Sequence, residues 1–158
     1  MSQPDSSSSG TTAKFLVTGA AHTGKSQFIT TITGAETRAY GEVQINPDMK
    51  IGLFSRLAPP EPDWREVIDL CIGVVLMVDA TRPDTFADVP HMIEIMRQVH
   101  NVPMIIAVNK QDAPGAHPPG AVRDHLPEDL EIKVFPCIAT QKQSAENVLL
   151  ALIYTILS

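Results

Sequence analysis

From Lys14 onward the chain alternates short apolar runs with longer segments in which apolar positions recur every three or four residues. That rhythm predicts βαβ units around a mostly parallel sheet. Lys14–Thr18 (KFLVT), Ile72–Asp79 (IGVVLMVD) and Met104–Asn109 (MIIAVN) are apolar almost throughout, as strands covered on both faces are. Gly41–Asn46, Met49–Phe54 and Lys133–Cys137 complete six predicted strands, and Asn46-Pro47-Asp48 predicts a tight antiparallel hairpin. Helices are expected at Lys25–Ile32, Asp63–Leu70, Ala87–His100, Gly120–Leu126 and Ser144–Leu157. The clearest is Ala87–His100, where Val89, Met92, Ile93 and Met96 share one face. The expectation is one three-layer α/β domain over residues 13–158, a mostly parallel six-stranded sheet flanked by about five helices.

Residues 1–12 (MSQPDSSSSGTT) lack that periodicity and are Ser-rich, so a disordered tail is expected there. A chain of 158 residues, 44% apolar and 19% charged, has the balance of a single packed domain. Its net charge of −6 argues against general binding to a nucleic-acid backbone, so any anion must be gripped locally. Cys71 and Cys137 both lie in apolar stretches and make neither a disulfide framework nor a metal cluster. His91, His100, His117 and His125 lack ligand spacing. The longest apolar run, Ile72–Val78, is too short to span a bilayer, and neither a signal-peptide pattern nor a lipidation ending is present. The expected setting is cytoplasmic, reducing and without a membrane anchor.

Gly19-Ala-Ala-His-Thr-Gly-Lys-Ser26 is a complete G-x-x-x-x-G-K-[ST] string between a predicted strand and a predicted helix. The backbone N–H groups of Gly19, Ala20, Ala21, His22, Thr23 and Gly24 form a phosphate cradle. Ser26 and Gln27 extend it into the helix, whose N-terminus adds partial positive charge. Lys25 supplies a full charge and is the residue assigned a catalytic role. Ser26 offers a hydroxyl to Mg²⁺. The His22 side chain either touches phosphate or faces solvent.

A phosphate cradle does not choose a base. Asn109-Lys110-Gln111-Asp112 ends another apolar strand at the same sheet edge, where ligands of open α/β sheets bind. A carboxylate at Asp112 accepts two parallel hydrogen bonds from guanine N1–H and its exocyclic amine, a donor pair adenine lacks. Lys110 lays its stem over the purine, and Asn109 braces the loop. In Pro136-Cys-Ile-Ala-Thr140, Ala139 is the small residue whose N–H would reach the base oxygen.

The phosphate loop, the NKQD string and the PCIAT segment, in this order, resemble the Ras-like small GTPases of the P-loop fold. VVLMVDATRPDTF and VNKQDAP look most like the bacterial branch of MglA-type and Roadblock-associated GTPases, and the match runs from Lys14 to Leu157. The resemblance implies GTP/GDP and Mg²⁺ as cofactors and a Roadblock/LC7-type regulatory protein as partner. The family's D-x-x-G motif is degenerate here. Ser55 stands for the Asp that holds Mg²⁺ through water, Ala58 for the Gly whose N–H senses the γ-phosphate, and Pro59 for the water-orienting Gln. Ala21 also replaces a common Gly. Lys25 and Ser55 stand only 30 positions apart, so the first switch is short. Thr37 is the candidate second metal ligand, with Thr33 behind it. Asp79 is either a Mg²⁺ ligand or a structural residue beside the nucleotide, the second being preferred. Arg38 and Arg56 fall in the switch segments, where an arginine finger would sit. Trp64 is either a helix anchor or a partner contact.

The leading expectation is a regulatory guanine-nucleotide binder with slow or partner-dependent hydrolysis. A catalytically dead scaffold is the alternative, and an adenine-specific P-loop enzyme is a third reading that Asp112 opposes.

Overall fold

The computed structural model describes residues 11–35 and 39–158. Six strands form one sheet: β1 (Thr11–Gly19), β2 (Tyr40–Asn46), β3 (Met49–Leu57), β4 (Gly73–Asp79), β5 (Met104–Asn109) and β6 (Lys133–Pro136). Their order is β2-β3-β1-β4-β5-β6, with every neighbouring pair parallel except β2 and β3. Chain order runs outward from β1 to β3 and then returns to the other side of β1 at β4. The loop after β1 therefore opens at a topological switch point, where open sheets hold ligands.

Alternation within the strands divides the core into two faces. Val74, Leu76 and Val78 of β4 pack with Ile93 and Met96 of α2 (Val89–Val99), with Val122 of α3 (Pro119–Arg123) and with Trp64. Val75 and Met77 point the other way, to Phe28 and Ile29 of α1 (Lys25–Thr33) and Val148 and Leu152 of α4 (Lys142–Leu157). All seven residues of β4 and all six of β5 are buried, which explains why those runs read as continuously apolar. Pro47-Asp48 makes the tight β2–β3 hairpin, with the Asp48 N–H donating to Asn46 Oδ1 at 2.8 Å.

Three expectations change. The first strand takes in Thr11 and Thr12, assigned above to the Ser-rich tail, because their backbones pair with Met49 and Lys50. Asp63–Leu70 is not an α-helix but two 3₁₀ turns, Asp63–Glu66 and Ile68–Leu70. The tighter winding closes i→i+3 bonds from Val67 to Trp64 and from Cys71 to Ile68 while Trp64 and Ile68 both become fully buried. Trp64 is thus an internal anchor and not an exposed contact. A 3₁₀ turn, Pro83–Asp88, also precedes α2, leaving four α-helices among the described residues where about five were expected. None of them is long and apolar enough to cross a membrane.

Candidate functional site

The loop between β1 and α1 turns at two glycines that no other residue replaces without strain. Gly19 sits at φ 149°, where an added Cβ would strike the Met77 carbonyl oxygen of β4. Gly24, the N-cap of α1, sits at φ 104°, where a Cβ would strike Asn109 Nδ2. Between them His22 is held at φ 66°, a left-handed conformation uncommon for a side-chain-bearing residue, with its ring exposed. Ala21 is exposed as well.

Lys25 is buried at 8% exposure, and its Nζ donates to the Ala20 carbonyl at 2.6 Å and to Thr23 Oγ1 at 3.4 Å. Thr23 Oγ1 itself donates to the Ala20 carbonyl at 3.0 Å. These acceptors are neutral, and burial pushes the Lys25 ammonium down to about 8. A buried cation with neutral partners at a helix N-terminus, beside a loop that glycines at 19 and 24 allow to turn tightly, fits an anionic group such as phosphate. Ser26 lies one residue into α1, and Gln27 donates through Nε2 to Thr31 Oγ1 at 3.0 Å. Thr37, the expected second metal ligand, and Arg38 lie outside the described residues. Thr33, the second candidate, donates through Oγ1 to the Ile29 carbonyl at 2.7 Å. Ser26 offers the hydroxyl that would hold Mg²⁺ beside a bound phosphate.

The end of β5 meets this loop directly. Asn109, buried at 4% exposure, donates from Nδ2 to the Thr23 carbonyl at 2.9 Å and accepts at Oδ1 from the Ala139 N–H at 2.8 Å. One side chain thereby joins the β1–α1 loop, β5 and the loop after β6. Lys110 adopts φ 70° and places its Nζ 2.8 Å from Asp79 Oδ2, while Asp79 Oδ1 accepts from Thr81 N–H at 2.9 Å and Thr81 Oγ1 at 2.6 Å. Burial would raise the Asp79 carboxyl, but the bonds from Lys110 and Thr81 outweigh it and hold it below its ordinary value. Both Asp79 oxygens are thus engaged within the protein, Oδ2 by Lys110 and Oδ1 by Thr81. Gln111 fastens the base of the loop, donating from Nε2 to the carbonyls of Val108 at 3.2 Å and His117 at 2.9 Å.

A pocket of about 170 Å³ opens beside this junction, bounded by Gly24, Gln27, Asn109, Lys110, Asp112 and Ala139. Asp112 is exposed there and takes part in none of the ion pairs. The Ala139 N–H, expected to face a base oxygen, donates instead to Asn109 Oδ1, and Ala139 is 3% exposed. A larger cleft of about 630 Å³ beside α2 includes His91, Glu94 and Arg97 in its lining, yet none of the phosphate-loop residues. The smaller pocket is the candidate site because it brings Gly24 of the β1–α1 loop together with Asn109, Lys110 and Asp112.

The degenerate third motif is equally specific. The Ala58 N–H donates to the Gly19 carbonyl at 3.0 Å, and Ala58 is 2% exposed. Arg56 bonds to Glu66, Ala39 and Ser55, so its guanidinium is held among protein acceptors and not extended as a finger. The left-handed Lys110, its Asp79 partner and the Asn109–Ala139 bond were missed by sequence reasoning; the polar Asp79 and Thr81 ending an apolar strand were the available signal. No protein-family model matches the chain, and no curated protein is significantly similar to it.

Proposed function

We propose that this chain is a small GTPase-like, regulatory guanine-nucleotide-binding protein whose hydrolysis of GTP is slow or depends on a partner. The observation that carries the reading is Asn109, which ties the Gly19–Ser26 loop to the loops bearing Asp112 and Ala139. In this reading a phosphate grip and a base-selecting carboxylate sit on loops joined through one buried amide. Lys25 and the N–H groups of residues 19–24 hold the phosphates, Asp112 selects guanine, and the Lys110 stem covers the ring. Bound Mg²⁺ would neutralise charge on the outer phosphates, with Ser26 as its protein ligand.

Hydrolysis is slow in this reading because Pro59 has no amide to orient water and the Ala58 N–H is engaged by Gly19. Those same two features favour the second reading, a scaffold that binds nucleotide without turning it over. The reading of a Roadblock/LC7-type partner rests on the sequence resemblance alone. Single-turnover assays decide the enzymatic part: the expected result is GTP bound and retained with little phosphate released. Brisk unassisted hydrolysis that disappears in Lys25→Ala would overturn the slow-enzyme reading.

A further inference from the structure

Residues 39–66 carry a set of bonds around the degenerate motif that join three separate segments. Arg56 Nη1 donates to the Ala39 carbonyl at 3.1 Å and to the Ser55 carbonyl at 2.9 Å, and its Nε pairs with Glu66 Oε1 at 3.0 Å. The same Ala39 carbonyl accepts the Ser55 N–H at 2.9 Å, extending the β2–β3 ladder beyond Tyr40 and Phe54. The guanidinium lies over the Phe54 ring, 5.4 Å from its centroid, and Phe54 in turn contacts Tyr40 at 4.6 Å. One planar fork therefore holds the entrance to β2, the end of β3 and the 3₁₀ turn at Glu66, a geometry that a lysine cannot reproduce. Two residues after Arg56, at the first residue of the Ala58–Glu61 turn, lies the other tie, since the Ala58 N–H is bonded to the Gly19 carbonyl at the mouth of the β1–α1 loop.

We infer that Arg56 is a positioning residue which, with the Ala58–Gly19 bond, fixes the two segments bordering the phosphate loop in one arrangement whether a diphosphate or a triphosphate is bound. The inference deepens the nucleotide-binding reading above and rests on it. A switch responds to the third phosphate only through contacts that differ between the two states. Here the N–H in the sensing position is spent on Gly19, and the strand entrance is held by Arg56 through bonds internal to the protein. A partner docking on this face would meet the same surface in both nucleotide states.

Amide hydrogen exchange on the full chain tests this, in wild type, Arg56→Ala and Arg56→Lys, each nucleotide-free, with GDP and with a non-hydrolysable GTP analogue. Wild-type exchange across residues 39–58 is expected to agree within about twofold between the two nucleotides. Arg56→Ala is expected to speed exchange at Tyr40 and Ser55 by about tenfold while Val74–Val78 and Ile105–Val108 stay unchanged, with Arg56→Lys intermediate. Equal acceleration in those core strands would reduce Arg56 to general stability and overturn the inference. So would unchanged exchange in Arg56→Ala, or strong wild-type differences between GDP and the GTP analogue. Failure of wild type to bind either nucleotide would refute the nucleotide reading instead, and the nucleotide-free comparison would still decide whether Arg56 positions these segments.

Discussion

Asn109 Nδ2 lies 2.9 Å from the carbonyl oxygen of Thr23, a residue 86 positions earlier in the chain. Its other amide atom holds the Ala139 N–H, so removing the side chain leaves a carbonyl and an N–H without partners at a buried junction. Asn109→Ala should cost about 2–4 kcal/mol of stability and weaken nucleotide binding by tenfold or more, by about the worth of two buried hydrogen bonds. Gly24→Ala should weaken binding in the same way, because its methyl group collides with Asn109 Nδ2 at a backbone φ of 104°. Thermal unfolding and nucleotide titration of both variants check this; intact binding in Asn109→Ala would disconnect the two loops.

Under the proposed function, base choice falls to Asp112, an exposed carboxylate on the pocket rim. Asparagine presents a donor where the carboxylate accepts, so it mismatches guanine and matches the extra carbonyl of xanthine. Asp112→Asn should lower GDP affinity by about tenfold or more, the loss of a charge-assisted bidentate pair, and raise affinity for xanthosine diphosphate. Competition between the two diphosphates reads this directly, and an unchanged preference would remove Asp112 from the site.

Much of this arrangement is legible from the residues, for identifiable reasons. Strands β4 and β5 are readable because burial on both faces leaves no polar position, and Gly19 and Gly24 because each meets another group where a Cβ would stand. The early start of β1 is not readable, since Thr11 and Thr12 are held by backbone pairing and not by apolar burial. Nor are the 3₁₀ turns around Trp64, whose apolar spacing of 64, 67, 68 and 71 also suits an α-helix. At the site, Asn109, Lys110 and Asp112 are recognisable by their order. The commitment of the Ala139 and Ala58 N–H groups is invisible, because backbone donors carry no sequence signature.

The Asp79–Lys110 pair gives the fold an acid-sensitive contact. Because the folded carboxyl titrates below its ordinary value of 3.8, the unfolded chain binds the proton first as pH falls. The stabilisation is therefore complete above that ordinary value and is lost as pH drops towards the folded one. Asp79→Asn should be less stable than wild type at pH 7, with the difference shrinking below pH of about 4. It should also release Lys110 from its left-handed position and weaken guanine-nucleotide binding. Urea unfolding from pH 2 to 7 checks the first effect, and a constant difference across that range would contradict it.

Both cysteines should be poor nucleophiles in the folded chain. Burial pushes the Cys71 thiol up to about 12 despite Lys14 and Arg56 nearby, and Cys137 up to about 11 despite a bond with Ser144. Each residue is 1% exposed. Alkylation by iodoacetamide at pH 8 should be slow for the native protein and rapid after denaturation, because only the thiolate reacts. Mass spectrometry gives the count of modified residues, and fast native labelling of either one would show that its core face opens.

The most direct measurement of the central claim is the identity of the nucleotide released when the purified full chain is denatured, together with titration of the stripped protein with GDP, GTP, ADP and ATP. The account predicts guanine nucleotide in the released fraction, tight binding of GDP and GTP, and weak binding of the adenine pair. Preferential retention of ATP or ADP, or no binding of any of the four, would contradict it.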